Sequence, residues 1–238
     1  VSMHKPQPLP KLLDKFIDRI FAGPYSSATI TRKDELFVWG DNYPSKLFLD
    51  TQSAIISSPT QTLVGKCPLQ ISLSQSHSAC MDLTSRLLLT TAFSSTINNT
   101  LSGSVALHSS QSNPSWSEVS LLNDRPRQFF AGKGFTVLLT SKGKVIKLTK
   151  DEIVEVNLPG RVEKLLGHGD YSVAVQTEDG QWYAWGDNSC QTISPQAEER
   201  IAVPVRMQFD DEITVSSVVF SNSHAAALYN KKNSQVIQ

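Results

Sequence analysis

The sequence contains few of the groups on which catalysis, metal binding or membrane insertion usually depends. Its three cysteines, Cys67, Cys80 and Cys190, are an odd number with no close pair, which argues against a disulfide framework and against a zinc site. No run of about 18 apolar residues is present, so the sequence predicts no membrane-spanning helix. It also has no His-x-x-x-His, Gly-x-Ser-x-Gly or Cys-x-x-Cys motif, so the sequence gives no motif-based indication of hydrolase or metal chemistry. We therefore expect no cofactor and no metal.

The chain also lacks net charge. Its 238 residues include 22 Lys plus Arg and 22 Asp plus Glu. A general binder of nucleic acid or of acidic membranes needs a basic face, so the composition argues against both partners. Sparse cysteine usage favours a reducing compartment, and we expect a cytoplasmic or nuclear protein.

One short motif occurs twice. Residues 36–42 read Leu-Phe-Val-Trp-Gly-Asp-Asn and residues 182–188 read Trp-Tyr-Ala-Trp-Gly-Asp-Asn, so that Trp39 corresponds to Trp185. Alternating aromatic and aliphatic residues that run into Gly-Asp-Asn are typical of a half-buried strand that ends at a tight turn. A strand-and-turn motif that recurs at a distance predicts a repeat protein.

The residues before this motif recur five times. Each copy has an apolar strand, a Gly-containing turn, a strand of small residues and a polar hairpin turn. The small strands are centred, at a spacing of about fifty residues, on Ala28, Ala79, Val137, Val173 and Ala226. A lead-in strand is predicted before each copy, at residues 8–12, 58–62, 116–120, 152–156 and 203–206. One four-stranded unit per repeat, arranged radially, predicts an all-β architecture.

Two segments have alternative interpretations. Residues 11–20 carry an amphipathic pattern that would suit a helix, but the lead-in strands of the other copies favour strand, turn, strand. Residues 91–115 are rich in Ser, Thr and Asn and are predicted to be a loop insertion.

These residues resemble the repeat of the regulator of chromosome condensation type β-propeller family. That repeat has a Gly-x-x-His-Ser-x-Ala-Leu turn and strand, a polar Asp-Gly hairpin, and then aromatic-x-Trp-Gly-x-Asn. Residues 167–188 match it most fully. The structural positions that correspond to the motif are Gly23, Trp39, Gly40, Asn42, His77, Gly132, Gly167, Trp185, Gly186, Asn188 and His224.

The resemblance implies one β-propeller domain of four-stranded blades over residues 1–238, with repeats at about 8–57, 58–115, 116–151, 152–202 and 203–238. It is specific for the fold and weak for the activity. The family usually has about seven repeats, whereas five are found here, and the Gly-Gln-Leu-Gly that often follows the Asn is absent. The chain is therefore either a fragment or a reduced, divergent propeller.

For function, the resemblance implies a protein-interaction module. In the family's exchange factors, Asp and His residues on the turns before the small strand help to engage the small GTPase Ran. Asp170 is the best match for such an Asp, and His168 is adjacent; the candidates on this and the other turns are Tyr171, Tyr25, Ser76 and Lys133. Two hypotheses follow: a guanine nucleotide exchange factor for a Ran-like GTPase, or a non-catalytic scaffold in a multiprotein complex. Because some family members are secreted by intracellular bacteria and act on host GTPases, host cytosol is an alternative location.

Each candidate also has a structural interpretation. Asp170 either contacts a partner or caps its own turn. His77 and His224 occupy the repeat's own His position, where we expect them to pack or hydrogen-bond between neighbouring blades. The tryptophans of the motif are expected to fill the core, and residues 96–115 are either an insertion that reaches into a GTPase or a loop without such a role.

Overall fold

The computed structural model describes residues 5–62, 64, 68–90, 105–109, 116–121, 123–149, 152–168, 171–195, 198–220 and 224–231. Within these residues the regular structure is almost entirely β-strand, with one short 3₁₀ turn at Pro10–Leu12. The strands, in chain order, are β1 (Ile17–Ala22), β2 (Ser26–Thr31), β3 (Leu36–Asp41), β4 (Ile55–Gln61), β5 (Pro68–Leu73), β6 (Ser78–Asp82), β7 (Leu87–Thr90), β8 (Val105–Ser109), β9 (Trp116–Leu121), β10 (Pro126–Gly132), β11 (Phe135–Thr140), β12 (Val145–Thr149), β13 (Ile153–Glu155), β14 (Val162–His168), β15 (Ser172–Thr177), β16 (Trp182–Asp187), β17 (Arg200–Arg206), β18 (Ile213–Phe220) and β19 (Ala225–Lys231).

In the part of the chain that the structure describes, five antiparallel sheets follow one another. Sheet 1 is β1-β2-β3-β4, sheet 3 is β10-β11-β12-β13 and sheet 4 is β14-β15-β16-β17, each with its strands in sequence order. Sheet 2 has the order β5-β6-β7-β9-β8, and sheet 5 contains β18 and β19. Successive strands of a meander point in opposite directions, so the turns of all sheets collect at two opposite ends. The all-β class and the small sheets predicted from the repeat are confirmed.

The first strand of each sheet lies against the first strand of the next. β1 contacts β5, β5 contacts β10, β10 contacts β14, and β14 contacts β18. Apolar clusters fill the spaces between consecutive sheets; they include Ile30 with Ile71, Met81 with Phe129, and Leu139 with Leu165. Sheets that stack face to face in chain order around their first strands form the blade arrangement of a β-propeller.

Every first strand is interrupted by a β-bulge at the same point. The pairing register skips Asp18, Leu69, Arg127, Glu163 and Ser216. A bulge adds one residue to a strand and increases its local twist. The residue after the bulge reaches the next sheet in three copies: Arg19 donates to the Leu69 carbonyl, Gln128 accepts from the Leu165 amide at 2.7 Å, and Lys164 donates to the Ser216 carbonyl at 3.4 Å. The bulge therefore marks a polar contact that is repeated between sheets.

Four of the predicted lead-in strands exist, but they belong to the preceding sheet. Residues 58–62, 116–120, 152–156 and 203–206 fall on or beside β4, β9, β13 and β17, which pair with the third strands of sheets 1 to 4. Local pattern locates a strand but not the partner to which it hydrogen-bonds. The first lead-in, residues 8–12, is not a strand. Pro10 begins a 3₁₀ turn there, since its fixed φ suits a turn and it has no backbone N–H to donate to a sheet.

The segment predicted as a loop insertion contains a strand. β8 pairs with β9 from Val105↔Leu121 to Ser109↔Ser117 and gives sheet 2 its fifth strand. Five residues of mixed polarity in a Ser-rich segment are too short to stand out by alternation alone. The rest of the predicted insertion, residues 91–104 and 110–115, lies outside the described residues. The single-domain assignment and the exact repeat limits stay predictions.

Candidate protein-interaction face

The predicted partner-binding residues that the structure describes lie at one end of the sheets. The turns that join the first strand to the second carry Tyr25, Ser76, Lys133 and Tyr171. The loops after β3 and β16 lie at the same end because strand direction alternates. We call this end the turn face. The opposite end carries the hairpins between second and third strands, such as residues 141–144.

The glycine of the Trp-Gly-Asp-Asn motif positions a tyrosine on the turn face in two sheets. Gly40 and Gly186 have φ values of +106° and +120°, a region that favours glycine. A Cβ on Gly40 would lie 2.5 Å from the Tyr25 carbonyl oxygen, and a Cβ on Gly186 would overlap the Tyr171 carbonyl oxygen. The missing side chain lets the third strand approach the turn, so the two tyrosines are held in equivalent places.

The asparagine of the motif organises the loop that follows. Asn42 and Asn188 are buried, and the Oδ1 of each accepts from the backbone amide five residues later, of Leu47 and Ile193, at 2.9 Å in both cases. The side-chain amide groups donate to backbone carbonyls further along the same loops: Asn42 Nδ2 to Ser53 at 2.9 Å, and Asn188 Nδ2 to Ser194 at 2.8 Å. The same side chain thus fixes one loop of the turn face in sheet 1 and one in sheet 4.

A buried lysine joins sheet 1 to sheet 2 beneath this face. The Lys46 side chain has no exposed surface, and its Nζ donates to Asp41 at 2.6 Å and to the Gln75 carbonyl at 3.1 Å. Partial burial alone would raise the pKa of Asp41, but hydrogen bonds from Lys46 and from the Tyr43 amide outweigh it, so the pKa lies below its usual value. The carboxylate is therefore ionised at neutral pH and neutralises the buried ammonium.

Sheets 3 and 4 are joined at the surface by a lysine and a tyrosine. The Lys133 Nζ donates to the Tyr171 hydroxyl at 3.0 Å and lies 5.5 Å from the centre of the Tyr171 ring, within the range of a cation–π contact. Tyr171 is 47% exposed, and Tyr25, on the equivalent turn of sheet 1, is 61% exposed. The described turns between first and second strands thus present Tyr25, Tyr171 and the ammonium group of Lys133 at this face.

A buried histidine and the serine before it connect sheet 2 to sheet 3. The Ser76 hydroxyl accepts from the Gly134 amide at 2.9 Å and lies 3.0 Å from the His77 Nδ1. The His77 Nε2 lies 2.6 Å from the Thr136 hydroxyl in the neighbouring sheet. Burial lowers the pKa of His77 to about 3, so the ring is neutral and connects two hydroxyl groups across the junction.

The remaining motif residues have structural positions. Gly132 lies against the ring of Phe135, and Gly167 lies against the ring of Phe130. A Cβ on Gly23 would meet Leu73 of sheet 2 at 2.6 Å. Trp185 is buried, as is Trp182, whereas Trp39 is only partly buried. The contacts of Gly23 and Gly167 bring consecutive sheets close together, whereas that of Gly132 lies within sheet 3.

The other predicted residues are described only in part. His168 ends β14, which places its backbone at the turn face, and Asp170 lies outside the described residues. His224 precedes β19 and is exposed. The roles assigned to these three residues stay predictions.

Two residues of this face were missed by sequence reasoning. Tyr43 is exposed on the loop after β3, and Lys46 is buried beneath it. Both follow the first Trp-Gly-Asp-Asn, where the sequence departs from the family's pattern. A lysine four residues after the buried Asn, with an Asp beside that Asn, was the available signal.

The titratable side chains of the described residues include no metal-ligating cluster and one buried thiol. No group of three or more His, Cys, Asp or Glu side chains within them is arranged to hold a metal ion, and no helix among them is long and apolar enough to cross a membrane. Burial, together with the charge of Asp82, raises the pKa of Cys80 to about 12, so this thiol stays protonated.

Comparison with known proteins gives matches in structure only. No protein-family model and no curated protein matches the sequence. Human WBSCR16 is similar with a TM-score of 0.72 at 15% sequence identity, over 91% of this chain and 61% of that chain. Prp20p from Saccharomyces cerevisiae, described with its binding properties to Gsp1p and histones, is similar with a TM-score of 0.70 at 12% identity, over 95% of this chain and 58% of that chain.

A further solved structure is that of yeast RCC1 (Prp20) bound by Kap60, with a TM-score of 0.69 at 12% identity, over 93% of this chain and 55% of that chain. The alignments thus cover only 55% to 61% of these longer chains. Identities this low establish the architecture and not the activity. The chain has the fold of the RCC1-type β-propeller proteins.

Proposed function

We propose that this chain is a protein-interaction propeller that binds a small GTPase of the Ran type at its turn face and promotes guanine nucleotide exchange. The observation that supports the site is the exposed Lys133–Tyr171 pair, with Tyr25 exposed on the equivalent turn of sheet 1. Tyrosine is enriched in protein interfaces because it offers a large rigid surface and a hydroxyl group at a low entropic cost.

Exchange requires binding energy rather than bond-making residues. A protein that binds the nucleotide-free GTPase more tightly than the loaded form shifts the population towards release of the nucleotide. The surface that does so should be rigid, since a preorganised surface loses little entropy on binding. The contacts of Lys46 with Gln75, of Ser76 with Gly134, and of Lys133 with Tyr171 tie the first four sheets together at this end.

The similarity to Prp20p, which is described as binding Gsp1p, supports a protein partner at this fold. For this chain, a partner similar to Gsp1p is a proposal. In this role the protein would act in the cytoplasm or nucleus, or in host cytosol if it is secreted by a bacterium.

One observation favours the second candidate, a scaffold that binds without exchange. Asp41 and Asp187, the carboxylates of the repeated motif on the turn face, are both engaged internally. Asp41 holds Lys46, and the Oδ1 of Asp187 accepts from the Ser189 amide at 2.9 Å. Asp41 is thus committed to a buried ammonium, and one oxygen of Asp187 is already engaged, which leaves these carboxylates less free to compete with a phosphate for Mg²⁺.

Nucleotide release from a panel of small GTPases, with Ran first, tests the proposal. We expect the protein to accelerate release of a fluorescent GDP analogue, and the double variant Lys133→Ala/Tyr171→Ala to reduce the rate by about tenfold to a hundredfold, the effect of removing a central contact pair. Lys142→Ala, on the hairpin at the opposite end, is the matched control and should leave the rate unchanged. Binding of a GTPase without faster nucleotide release would support the scaffold instead. An equal loss of exchange rate in Lys142→Ala would contradict the assignment of the binding site to the turn face.

A further inference from the structure

A groove crosses sheet 3 at the end opposite the turn face. There the chain leaves β13, passes over the hairpin between β11 and β12, and begins β14 of sheet 4. The space between this connection, residues 156–161, and the hairpin, residues 142–145, has a volume of about 490 Å³. We call it the hairpin groove. Sheets 3 and 4 each contact a further sheet on either side, so the groove lies away from both ends of the described chain.

Two backbone hydrogen bonds fix the connection to the hairpin. The Val156 amide donates to the Val145 carbonyl at 2.8 Å, and the Val162 amide donates to the Gly143 carbonyl at 2.9 Å. Both ends of the connection are therefore held, and the groove has a fixed backbone frame. A preorganised groove loses little entropy when it binds a ligand.

Cations outnumber carboxylates in the lining of the hairpin groove. Lys142, Lys144 and Arg161 line it, all three exposed, together with Glu155. The Lys144 Nζ lies 2.9 Å from the Glu155 Oε2, and the Arg161 Nε lies 3.3 Å from Glu178, which is not a lining residue. Lys142 forms an ion pair with none of the described residues, so its charge is uncompensated.

Arg161 is held in place with N–H donors to spare. Its Nη2 donates to the Ser141 carbonyl at 3.1 Å, and its side chain lies over Gly143, where a Cβ would overlap the Arg161 Cγ. A guanidinium group has five N–H donors, and the contacts with Ser141 and Glu178 occupy two of them. The remaining donors suit a carboxylate, which a guanidinium binds through two parallel hydrogen bonds.

The equivalent groove one sheet later has the opposite charge. It lies between the β15–β16 hairpin and the connection from β17 to β18, where the Met207 amide donates to the Trp182 carbonyl as Val156 does to Val145. Its charged lining residues are Asp179, Arg206, Asp210 and Asp211. The cationic lining is thus specific to the hairpin groove. An anionic ligand is favoured there and disfavoured at the acidic groove beside it.

The size and lining of the hairpin groove indicate the kind of anion that fits. A volume of about 490 Å³ is many times the share of one water molecule in the liquid, roughly 30 Å³, so the groove exceeds a single small anion. Among its described lining residues none is aromatic, so a nucleotide base has no ring to stack on. Val156 and Leu158, both half-buried, add an apolar part to the lining.

We propose that the hairpin groove binds an acidic peptide segment of a protein partner. The carboxylates of the peptide pair with the Lys142 ammonium and with the remaining donors of Arg161, while an apolar side chain of the peptide packs on Val156 and Leu158. Because the groove is at the end opposite the turn face, this partner is separate from the GTPase, and both can bind at once.

Fluorescence anisotropy with a labelled peptide of sequence Glu-Asp-Glu-Leu-Asp-Glu tests this site. We expect saturable binding to the wild-type chain with a dissociation constant of about 100 µM or less. Lys142→Glu should raise that constant by at least about tenfold, because a like charge then faces the peptide. Lys33→Glu is the matched control and should bind as the wild type does. Each lysine precedes a hairpin residue of positive φ, Asp34 in sheet 1 and Gly143 in sheet 3.

Two further probes distinguish the peptide from other ligands. The same peptide with Gln and Asn in place of Glu and Asp should not bind, and a labelled single-stranded DNA oligonucleotide should bind more weakly than the acidic peptide. Both lysines are exposed, and unchanged thermal melting of each variant checks that it is folded. No binding by the wild type, equal affinities of Lys142→Glu and Lys33→Glu, equal binding of the neutral peptide, or tighter binding of the oligonucleotide would overturn the proposal.

Discussion

Replacing Gly186 with alanine is expected to lower the free energy of unfolding by at least about 3 kcal/mol, because backbone strain and overpacking each contribute. The φ of +120° disfavours any Cβ, and the new methyl group would overlap the Tyr171 carbonyl oxygen and lie 2.8 Å from the Ser172 Cα. These are backbone atoms, so no side-chain rotation relieves the contact. Urea unfolding measures the loss.

Gly180→Ala is the matched control for this substitution. Gly180 also has a positive φ, +81°, but a Cβ there would meet nothing within 4 Å. The only cost of Gly180→Ala is therefore that of holding alanine at a positive φ, which lowers the free energy of unfolding by about 1 kcal/mol. Equal and small effects at the two positions would show that the third strand does not hold the Tyr171 turn as described.

Acidification is expected to destabilise the protein through His77. Burial lowers the pKa of this histidine to about 3 from its usual 6.5, so below pH 6.5 the unfolded chain binds a proton that the folded protein excludes. The free energy of unfolding should therefore fall as the pH decreases from 6.5 towards 3, by up to about 1.4 kcal/mol per pH unit, which is about 3 kcal/mol by pH 4.

Urea unfolding at a series of pH values, for the wild type and for His77→Gln, isolates this contribution. The variant should be less stable at pH 7, because the hydrogen bond to Thr136 is altered, and should lack this part of the slope above pH 4. Protonation of carboxyl groups affects stability at lower pH. Burial alone would raise the pKa of Asp82, but hydrogen bonds from Thr84 and Arg86 outweigh burial, so the pKa lies below its usual 3.8. Parallel slopes for the two proteins between pH 6.5 and 4 would contradict a neutral, buried His77.

The sequence was sufficient to predict the repeated sheets but not how all their strands pair. The Trp-Gly-Asp-Asn motif and the small strands are local signals, and they correctly marked strands such as β3 and β16. The partner of β4 is set by a contact across the loop of residues 42–54, which no local pattern records. The register also places Ala174, rather than Val173, at the position of Ala28, because alternation alone does not fix a one-residue offset in a strand buried on both sides.

The sequence likewise predicted part of the candidate site and not the rest. The repeat predicts which turns share one end, and it thereby indicates Tyr25, Ser76, Lys133 and Tyr171 as neighbours on one face. It did not indicate that Lys133 would contact Tyr171 or that Ser76 would contact Gly134, because these pairs are 38 and 58 residues apart in the chain. Lys46 was missed for the same reason, since its partner Gln75 belongs to the next sheet.

Site-specific photocrosslinking tests most directly whether the turn face is the partner-binding surface. A benzophenone amino acid replaces Tyr25 in one variant and, as a control, the exposed Leu83 on a hairpin at the opposite end in another. With a nucleotide-free Ran-type GTPase, we expect a crosslinked complex from position 25 and none from position 83. Crosslinking from position 83 without crosslinking from position 25 would contradict binding at the turn face.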